Sequence, residues 1–264
     1  RLRPDFLRSV VQPDDFLICA DGGRRCAARA DLTPELVIGD LDSCPAAPEA
    51  ARPGASAAAG AAGRAGAQTI AQTVAPTAIP APRVVRYPCD KDFTDLELAL
   101  EHALAAGFRE ILIVGAVGGR LDHTLTNVHL LLRAARAGAF ACLAFPGGRL
   151  WTLVGPARHR LEGRPEDIVS LIPLSPEATG VRTEGLKYPL RGETLRWDQG
   201  RGVSNRLVAG EAEVSLDRGA LAVVHLERGR RGRAAPALPG RGGVEPPENG
   251  GAGVPGHGAG PLGP

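Results

Sequence analysis

Short apolar runs, each ending in a glycine-rich or acidic stretch, recur through the first 145 residues. Phe16-Leu17-Ile18-Cys19-Ala20, Leu36-Val37-Ile38, Val84-Val85-Arg86-Tyr87, Ile111-Leu112-Ile113-Val114 and residues 141–145 read as strands, those at 36–38 and 111–114 as buried ones. Between them the apolar period lengthens to that of a helix. Residues 1–11 read as the tail of one, with Phe6, Leu7, Val10 and Val11 apolar, and Pro13-Asp14-Asp15 as the turn after it. Residues 24–30 read as a second helix. Thr94-Asp95-Leu96-Glu97 has the spacing of a capping box, and Leu96, Ala99, Leu100, Ala103 and Leu104 follow at helical intervals up to Gly107. A last helix is predicted with Leu121, Leu125, Val128, Leu132 and Ala135 on one buried face, stopping at Gly138. Strand, turn, helix, strand is the order of a parallel sheet with polar residues at the strands' carboxyl ends.

From Arg149 the pattern changes to short alternating runs between Gly and Pro turns, among them residues 150–154, 167–172 and 221–226. That spacing predicts an antiparallel β domain. Two stretches carry no usable period. Residues 44–82 are dominated by Ala, Gly and Pro and read as a flexible insertion. Beyond residue 228 the chain is Gly, Pro, Ala and Arg, the composition of a disordered tail. The expected organisation is an α/β domain over residues 1–148 carrying the 44–82 insertion, a β domain over 149–228, and a tail over 229–264.

Composition narrows the function classes. A formal charge of +2 over 264 residues is too balanced for an electrostatic nucleic-acid binder, and 4% aromatic residues argue against stacked-base recognition. Five cysteines with no C-x-x-C fit a reducing compartment better than a disulfide framework. No apolar run is long enough to span a membrane and no leader precedes the first strand, so the expected setting is the cytoplasm. No methionine occurs, even at position 1, so the numbering is expected to start inside a longer or processed chain.

The chemistry sits at the strand ends. Leu36-Val37-Ile38-Gly39 runs into Asp40-Leu41-Asp42-Ser43, and an extended backbone points Asp40 and Asp42 to the same side. Two carboxylates ~4 Å apart repel by roughly 4 kcal/mol at an effective dielectric of ~20, so a cation is needed, and hard oxygen ligands suit Mg²⁺. The plainer alternative is a polar turn leaving a strand. Three further ends carry similar groups: Asp21-Gly22-Gly23; Asp90-Lys91-Asp92 with Thr94-Asp95; and Gly118-Gly119-Arg120-Leu121-Asp122-His123. In one open parallel sheet all four would share a rim, where ligands bind.

Asp40, Asp42 and Asp95 are the first choices for the metal, with Asp92 in reserve. Mg²⁺ takes one or two direct carboxylates, so the others would act through water or by positioning. For Asp95 the alternative is a helix N-terminal charge. Gly22-Gly23 and Gly118-Gly119 let backbone N–H groups approach phosphate oxygens, and Arg120 offers a bidentate fork. Lys91, between two acids, is either a phosphate cation or a structural ion pair. His123 and Asn127 lie one helical turn apart and read as ligand donors, with helix packing as the alternative for His123. The cysteines read as core or bystander residues.

Taken in order, A-D-G-G at 20–23, G-D-L-D-S at 39–43, D-K-D-F-T-D at 90–95 and G-G-R-L-D-H at 118–123 resemble the motif series of the thiamine pyrophosphokinase family. Residues 170–174, 184–190 and Gly202-Val203-Ser204-Asn205 resemble that family's β domain. The resemblance implies a Rossmann-like α/β catalytic domain followed by an antiparallel β-sandwich, assembled as a homodimer with thiamine between the catalytic domain of one subunit and the β domain of its partner. It implies transfer of the diphosphoryl group of ATP to the hydroxyl of thiamine, giving thiamine diphosphate and AMP. By the same resemblance Asp40, Asp42 and Asp95 belong to Mg²⁺. Asp21, Arg120 and Asp122 belong to the ATP and thiamine pocket, and Ser204 and Asn205 to the thiamine side.

This chain departs from the family in several places. It lacks the usual strand before the first helix, has Arg24-Arg25 where Ala-Asn is common, and carries a long insertion beside the metal motif. Tyr188, Trp197 and Trp151 are candidates to stack on thiamine, each with packing as the alternative. The competing functions are a pyrophosphokinase for another heterocyclic alcohol, such as a pterin, and a non-catalytic nucleotide- or thiamine-binding homologue.

Overall fold

The structure, a computed structural model, describes residues 2–40, 82–88 and 90–229. The 44–82 insertion, except Pro82, and the 229–264 tail, except Gly229, lie outside the described residues, as does Asp42. The chain divides between Gly107 and Phe108 into two compact units.

In the first unit, α1 (Pro4–Val10) buries Phe6 and Leu7 and packs against α2 (Gly23–Arg29). Strands β1 (Ile18–Ala20), β2 (Leu36–Gly39) and β3 (Arg83–Arg86) form a parallel sheet in that order, with Ala20 opposite Ile38 and Gly39 opposite Arg86. The central strand β2 is buried along its length. β3 follows β2 at one side of this sheet, with Val84 exposed and Val85 packed towards the core. Helix α3 (Asp95–Ala105) packs on β1 and β2 through the expected Ala99, Leu100 and Ala103. Its N-cap is Thr94, whose Oγ1 accepts from Glu97 N at 3.2 Å.

The second unit opens with β4 (Glu110–Val114), α4 (Leu121–Arg136) and β5 (Phe140–Phe145), and β4 pairs parallel with β5. The chain then turns back into β6 (Gly148–Val154), antiparallel to β5, so the α/β and all-β parts share one sheet. An expected boundary between 148 and 149 falls at the first residue of β6. With β8 (Ile168–Pro173), β11 (Asn205–Arg206) and β13 (Ala220–Leu226) the sheet order is β11-β8-β13-β6-β5-β4. A second sheet, β10-β9-β12-β7, is built from β7 (Ala157–Glu162), β9 (Glu177–Glu184), β10 (Arg191–Arg196) and β12 (Glu211–Leu216). Between the two sheets lies a core of Trp151, Leu161, Leu171, Val181, Leu195 and Leu221, which makes this part a β-sandwich.

The strand before the fourth motif, β4, is hydrogen-bonded to β5 and belongs to the sandwich sheet, not to the sheet of β1, β2 and β3. On α4 the predicted face holds only towards the helix's C-terminal half. Of that face Leu132 is buried, but Leu121 is 72% exposed and Leu125 is also exposed, while Asn127, Leu130, Leu131 and Ala134 are buried besides, and the helix packs on β5 and β6. Three consecutive leucines at 130–132 widen the apolar face, all three are buried, and the sheet covers this end of the helix and leaves Leu121 and Leu125 outside.

Candidate active site

Each strand of the first sheet delivers one acidic or basic group to its carboxyl end. After β1 the chain turns at Asp21, in the left-handed region with φ 36°, and its N–H still donates to Ile38 O at 2.7 Å. After β2, Gly39 at φ 150° passes so close that a Cβ there would lie 3.1 Å from Asp21 Cβ. Asp40 follows directly. After β3 the chain leads through Lys91 to Asp95 in the first turn of α3. One oxygen from each of Asp21, Asp40 and Asp95 lies within 4.8 Å of the others. The buried Oδ1 of Asp21 receives no hydrogen bond.

Lys91 answers part of this charge. Its ammonium lies 3.0 Å from Asp95 Oδ1 and 3.3 Å from Asp40 Oδ2, with the side chain only 11% exposed. Contact with Asp95 above all, then with Asp40, raises the lysine's pKa against the opposing pull of burial. Among the described residues of the cluster, three carboxylates face one ammonium. Converging carboxylates, a buried Asp21 oxygen with no hydrogen bond and only oxygen donors fit a hard divalent cation.

Of the expected acids, Asp40 and Asp95 are brought together, Asp42 lies outside the described residues, and Asp92 is exposed and stands apart from the cluster. Asp21 takes the third place. Its position directly after a buried strand, like that of Asp40, was the available signal. Thr94 is committed to capping α3. At Gly22 and Gly23 an added Cβ would meet nothing nearer than 3.8 Å, so packing does not demand glycine there.

In the second unit the loop between β4 and α4 contains Gly118 at φ 95° and Gly119 at φ 71°, both with open space where a Cβ would point. Thr124, unremarked in the sequence, pins this loop: its Oγ1 accepts from Gly118 N at 3.2 Å and donates to Arg120 O at 3.1 Å. Arg120 is exposed and closes its fork on Asp122, with Nε 3.1 Å from Oδ1 and Nη2 on Oδ2. That fork first, and the His123 N–H second, hold Asp122 down at about 2. His123 is exposed. Asn127 is instead buried, and its Nδ2 donates to Ala116 O at 2.8 Å, so its amide supports the glycine loop.

Ser204 and Asn205 lie at the start of β11. Ser204 is exposed at φ 62°, with its N–H donating to Ser170 Oγ at 2.9 Å. The buried Asn205 side chain accepts from Tyr188 N at 3.0 Å and Arg206 N at 2.9 Å, and donates to Tyr188 O at 2.7 Å. It therefore holds Tyr188 in place by its backbone. Tyr188 and Trp197 are largely exposed, so neither is a packing residue of this fold, whereas Trp151 is fully buried beside His159.

A polar group lies buried within the same unit. Arg149 Nε donates to His225 Nδ1 at 3.2 Å, and His225 Nε2 faces Asp167 Oδ2 at 3.0 Å. Burial, and next the Arg149 charge, push the His225 pKa down. His159 stacks on Phe140 with both ring nitrogens unpartnered, and burial pushes it down to about 4. Burial likewise raises the thiols of Cys19 and Cys142 to about 12, so both stay protonated core residues. Among the described residues no helix is long and apolar enough to cross a membrane.

Residues 73–143 match the description "Thiamin pyrophosphokinase, catalytic domain", and residues 158–221 match "Thiamin pyrophosphokinase, vitamin B1 binding domain". Thiamine pyrophosphokinase of Bacillus subtilis (strain 168) is 30% identical over 145 residues, covering 54% of this chain and 67% of that protein. The crystal structure of thiamin pyrophosphokinase from Geobacillus thermodenitrificans aligns with a TM-score of 0.64 at 26% identity, over 85% of this chain and 92% of that one. The Bacillus subtilis crystal structure aligns with the same TM-score at 23% identity, over 83% and 90%, a likeness of fold. The chain therefore belongs to the thiamin pyrophosphokinase family of enzymes, with the matches to its catalytic and vitamin B1 binding domains following one another in that order.

Proposed function

We propose that this protein transfers the diphosphoryl group of ATP to the hydroxyl of thiamine, releasing AMP, with Mg²⁺ held by Asp40, Asp42 and Asp95 and assisted by Asp21. The observation that carries the reading is the convergence of Asp21, Asp40 and Asp95 from separate strand ends within 4.8 Å. Bound there, Mg²⁺ would neutralise polyphosphate charge and hold phosphate oxygens for in-line attack. The chain's own residues do the rest by position. Gly39 lets two strand ends approach closely enough to set Asp21 beside Asp40. The cap at Thr94 fixes the first turn of α3 and with it Asp95. Arg120 is the planar donor for a phosphate oxygen, and its partner Asp122 keeps the fork oriented until phosphate arrives. The glycines at 22, 23 and 119 leave backbone N–H groups accessible to phosphate.

On the β side, Ser204 and the loop held by Asn205 are assigned to thiamine. The reading includes a homodimer with thiamine between subunits, and the exposed Tyr188 and Trp197 are the aromatic faces available to it. The balanced charge and the absence of a C-x-x-C pair support a cytoplasmic setting. The decisive assay is nucleotide release from ATP with and without thiamine. AMP formed only when thiamine is present supports the proposal. ADP would indicate an ordinary kinase, AMP with a pterin alcohol but not thiamine a different acceptor, and no turnover a binding protein.

A further inference from the structure

The chain contains 29 arginines and only two lysines, Lys91 and Lys187. Among the described residues most other acids in ion pairs are met by arginine, as in Arg206–Glu166 at 2.7 Å, Arg182–Asp217 at 3.0 Å and Arg160–Glu213 at 3.1 Å. At the carboxylate cluster the cation is Lys91, 3.0 Å from Asp95 and 3.3 Å from Asp40. The difference is chemical. A guanidinium fork clamps a carboxylate in one plane through two bonds, whereas an ammonium is a compact, freely rotating point charge on a flexible stem. Lys91 also lies outside both β3 and α3, so its stem can swing without moving either element.

The two carboxylates it touches are two of those assigned above to the metal. An ammonium and a dication sharing the same two carboxylates would sit side by side at close range, and their repulsion is twice that of two unit charges at equal distance. Mg²⁺ also demands short, near-octahedral oxygen contacts that an ammonium on the same carboxylates disturbs.

We propose that Lys91 is a tethered counter-ion which the divalent cation displaces. Without metal its ammonium shields Asp40 and Asp95 from each other. When the dication enters, the ammonium leaves these carboxylates and turns to the negative polyphosphate that the metal brings. Metal binding is then a cation exchange, and the protein releases a phosphate-binding charge only once the metal is in place. This inference rests on the metal assignment made under the proposed function.

The test uses the full chain, stripped of metal with a chelator and treated with an amine-acetylating reagent, with labelling read peptide by peptide. The exposed Lys187 serves as internal reference. Lys91 should label about tenfold more slowly than Lys187 without metal, and several-fold faster once Mg²⁺ alone is saturating. Adding ATP with Mg²⁺ should protect it again. Calorimetric titration of Mg²⁺ into the same protein, and into Asp40→Asn, separates the possible failures. If Mg²⁺ binds, Asp40→Asn abolishes binding and Lys91 labelling does not rise, the exchange is wrong while the metal site stands. If Mg²⁺ does not bind, the metal site is wrong and the exchange falls with it. Lys91→Met should bind Mg²⁺ about tenfold more tightly, and equal or weaker binding overturns the proposal. Should that variant not fold, the labelling of the unmodified chain decides.

Discussion

Gly39 and Asp21 touch across the ends of two neighbouring parallel strands, and a Cβ on Gly39 would lie 3.1 Å from Asp21 Cβ and 3.2 Å from its Cα. Both residues hold backbone conformations with positive φ, 150° and 36°. The contact brings the turn after β1 against the end of β2, and so brings a third carboxylate to Asp40 and Asp95. The lack of a side chain at Gly39 is what allows this approach.

Gly39→Ala is therefore expected to cost about 1–3 kcal/mol from backbone strain and crowding, seen as a lower urea midpoint. It should also weaken Mg²⁺ binding, because Asp21 must move away. Unchanged metal affinity in a folded variant would show that Asp21 contributes nothing to the site.

Asp40→Asn should lower the rate of thiamine-dependent AMP release by about a hundredfold or more, through loss of charge stabilisation around the polyphosphate. Thermal stability should change little, within about 1 kcal/mol, because losing the Lys91 contact is offset by relief of carboxylate repulsion. Large unfolding with activity retained in the residual folded fraction would assign Asp40 a structural role instead.

Arg120 and Asp122 are both exposed, so their pairing is available for exchange with a ligand. Arg120→Lys keeps the charge and removes the planar fork. It should reduce kcat/KM for ATP by about tenfold or more while leaving the melting temperature unchanged. Steady-state kinetics at varied ATP, paired with a melt, is the check.

Asn205 acts on the thiamine side through Tyr188. Asn205→Ala removes three hydrogen bonds from a buried position and should destabilise by about 2–3 kcal/mol. In the folded fraction KM for thiamine should rise more than kcat falls, since the variant loosens a binding loop. A selective loss of kcat would contradict this.

The sandwich should be sensitive to acid. His159 is held at about 4 against an ordinary 6.5, so below pH 6.5 the unfolded chain binds a proton that the folded chain does not. The stability associated with neutral His159 is complete above pH 6.5 and is lost as pH falls towards 4. At pH 5 the loss is about 2 kcal/mol. His225, also pushed down by burial and by Arg149, acts in the same direction. His159→Phe, which keeps the stacked ring and removes two unpartnered nitrogens, should flatten the decline in urea midpoint between pH 7.5 and 5. An unchanged slope would exclude His159 as the source.

Much of this protein is written locally. The apolar runs at 36–39, 111–114 and 140–145, the Thr94 cap and the alternation after Arg149 each depend on a few neighbouring residues, so their elements follow from the sequence alone. The family motifs are equally local, which is why the function class was legible from residues 20–23, 39–43, 90–95 and 118–123. What the sequence could not settle are choices between equivalent local options. Leucines at 130–132 widen the apolar face of α4, and only packing on β5 and β6 left Leu121 and Leu125 outside. Asp92 and Asp21 were both acids near a strand end, and only the close approach of Gly39 to Asp21 chose between them. Asn127 and Asn205 looked like ligand donors, yet backbone groups far along the chain, Ala116 and Tyr188, occupy their amides. Periodicity fixes the direction in which a side chain leaves its own element, but the partner it meets comes from a different part of the chain and is set by tertiary packing.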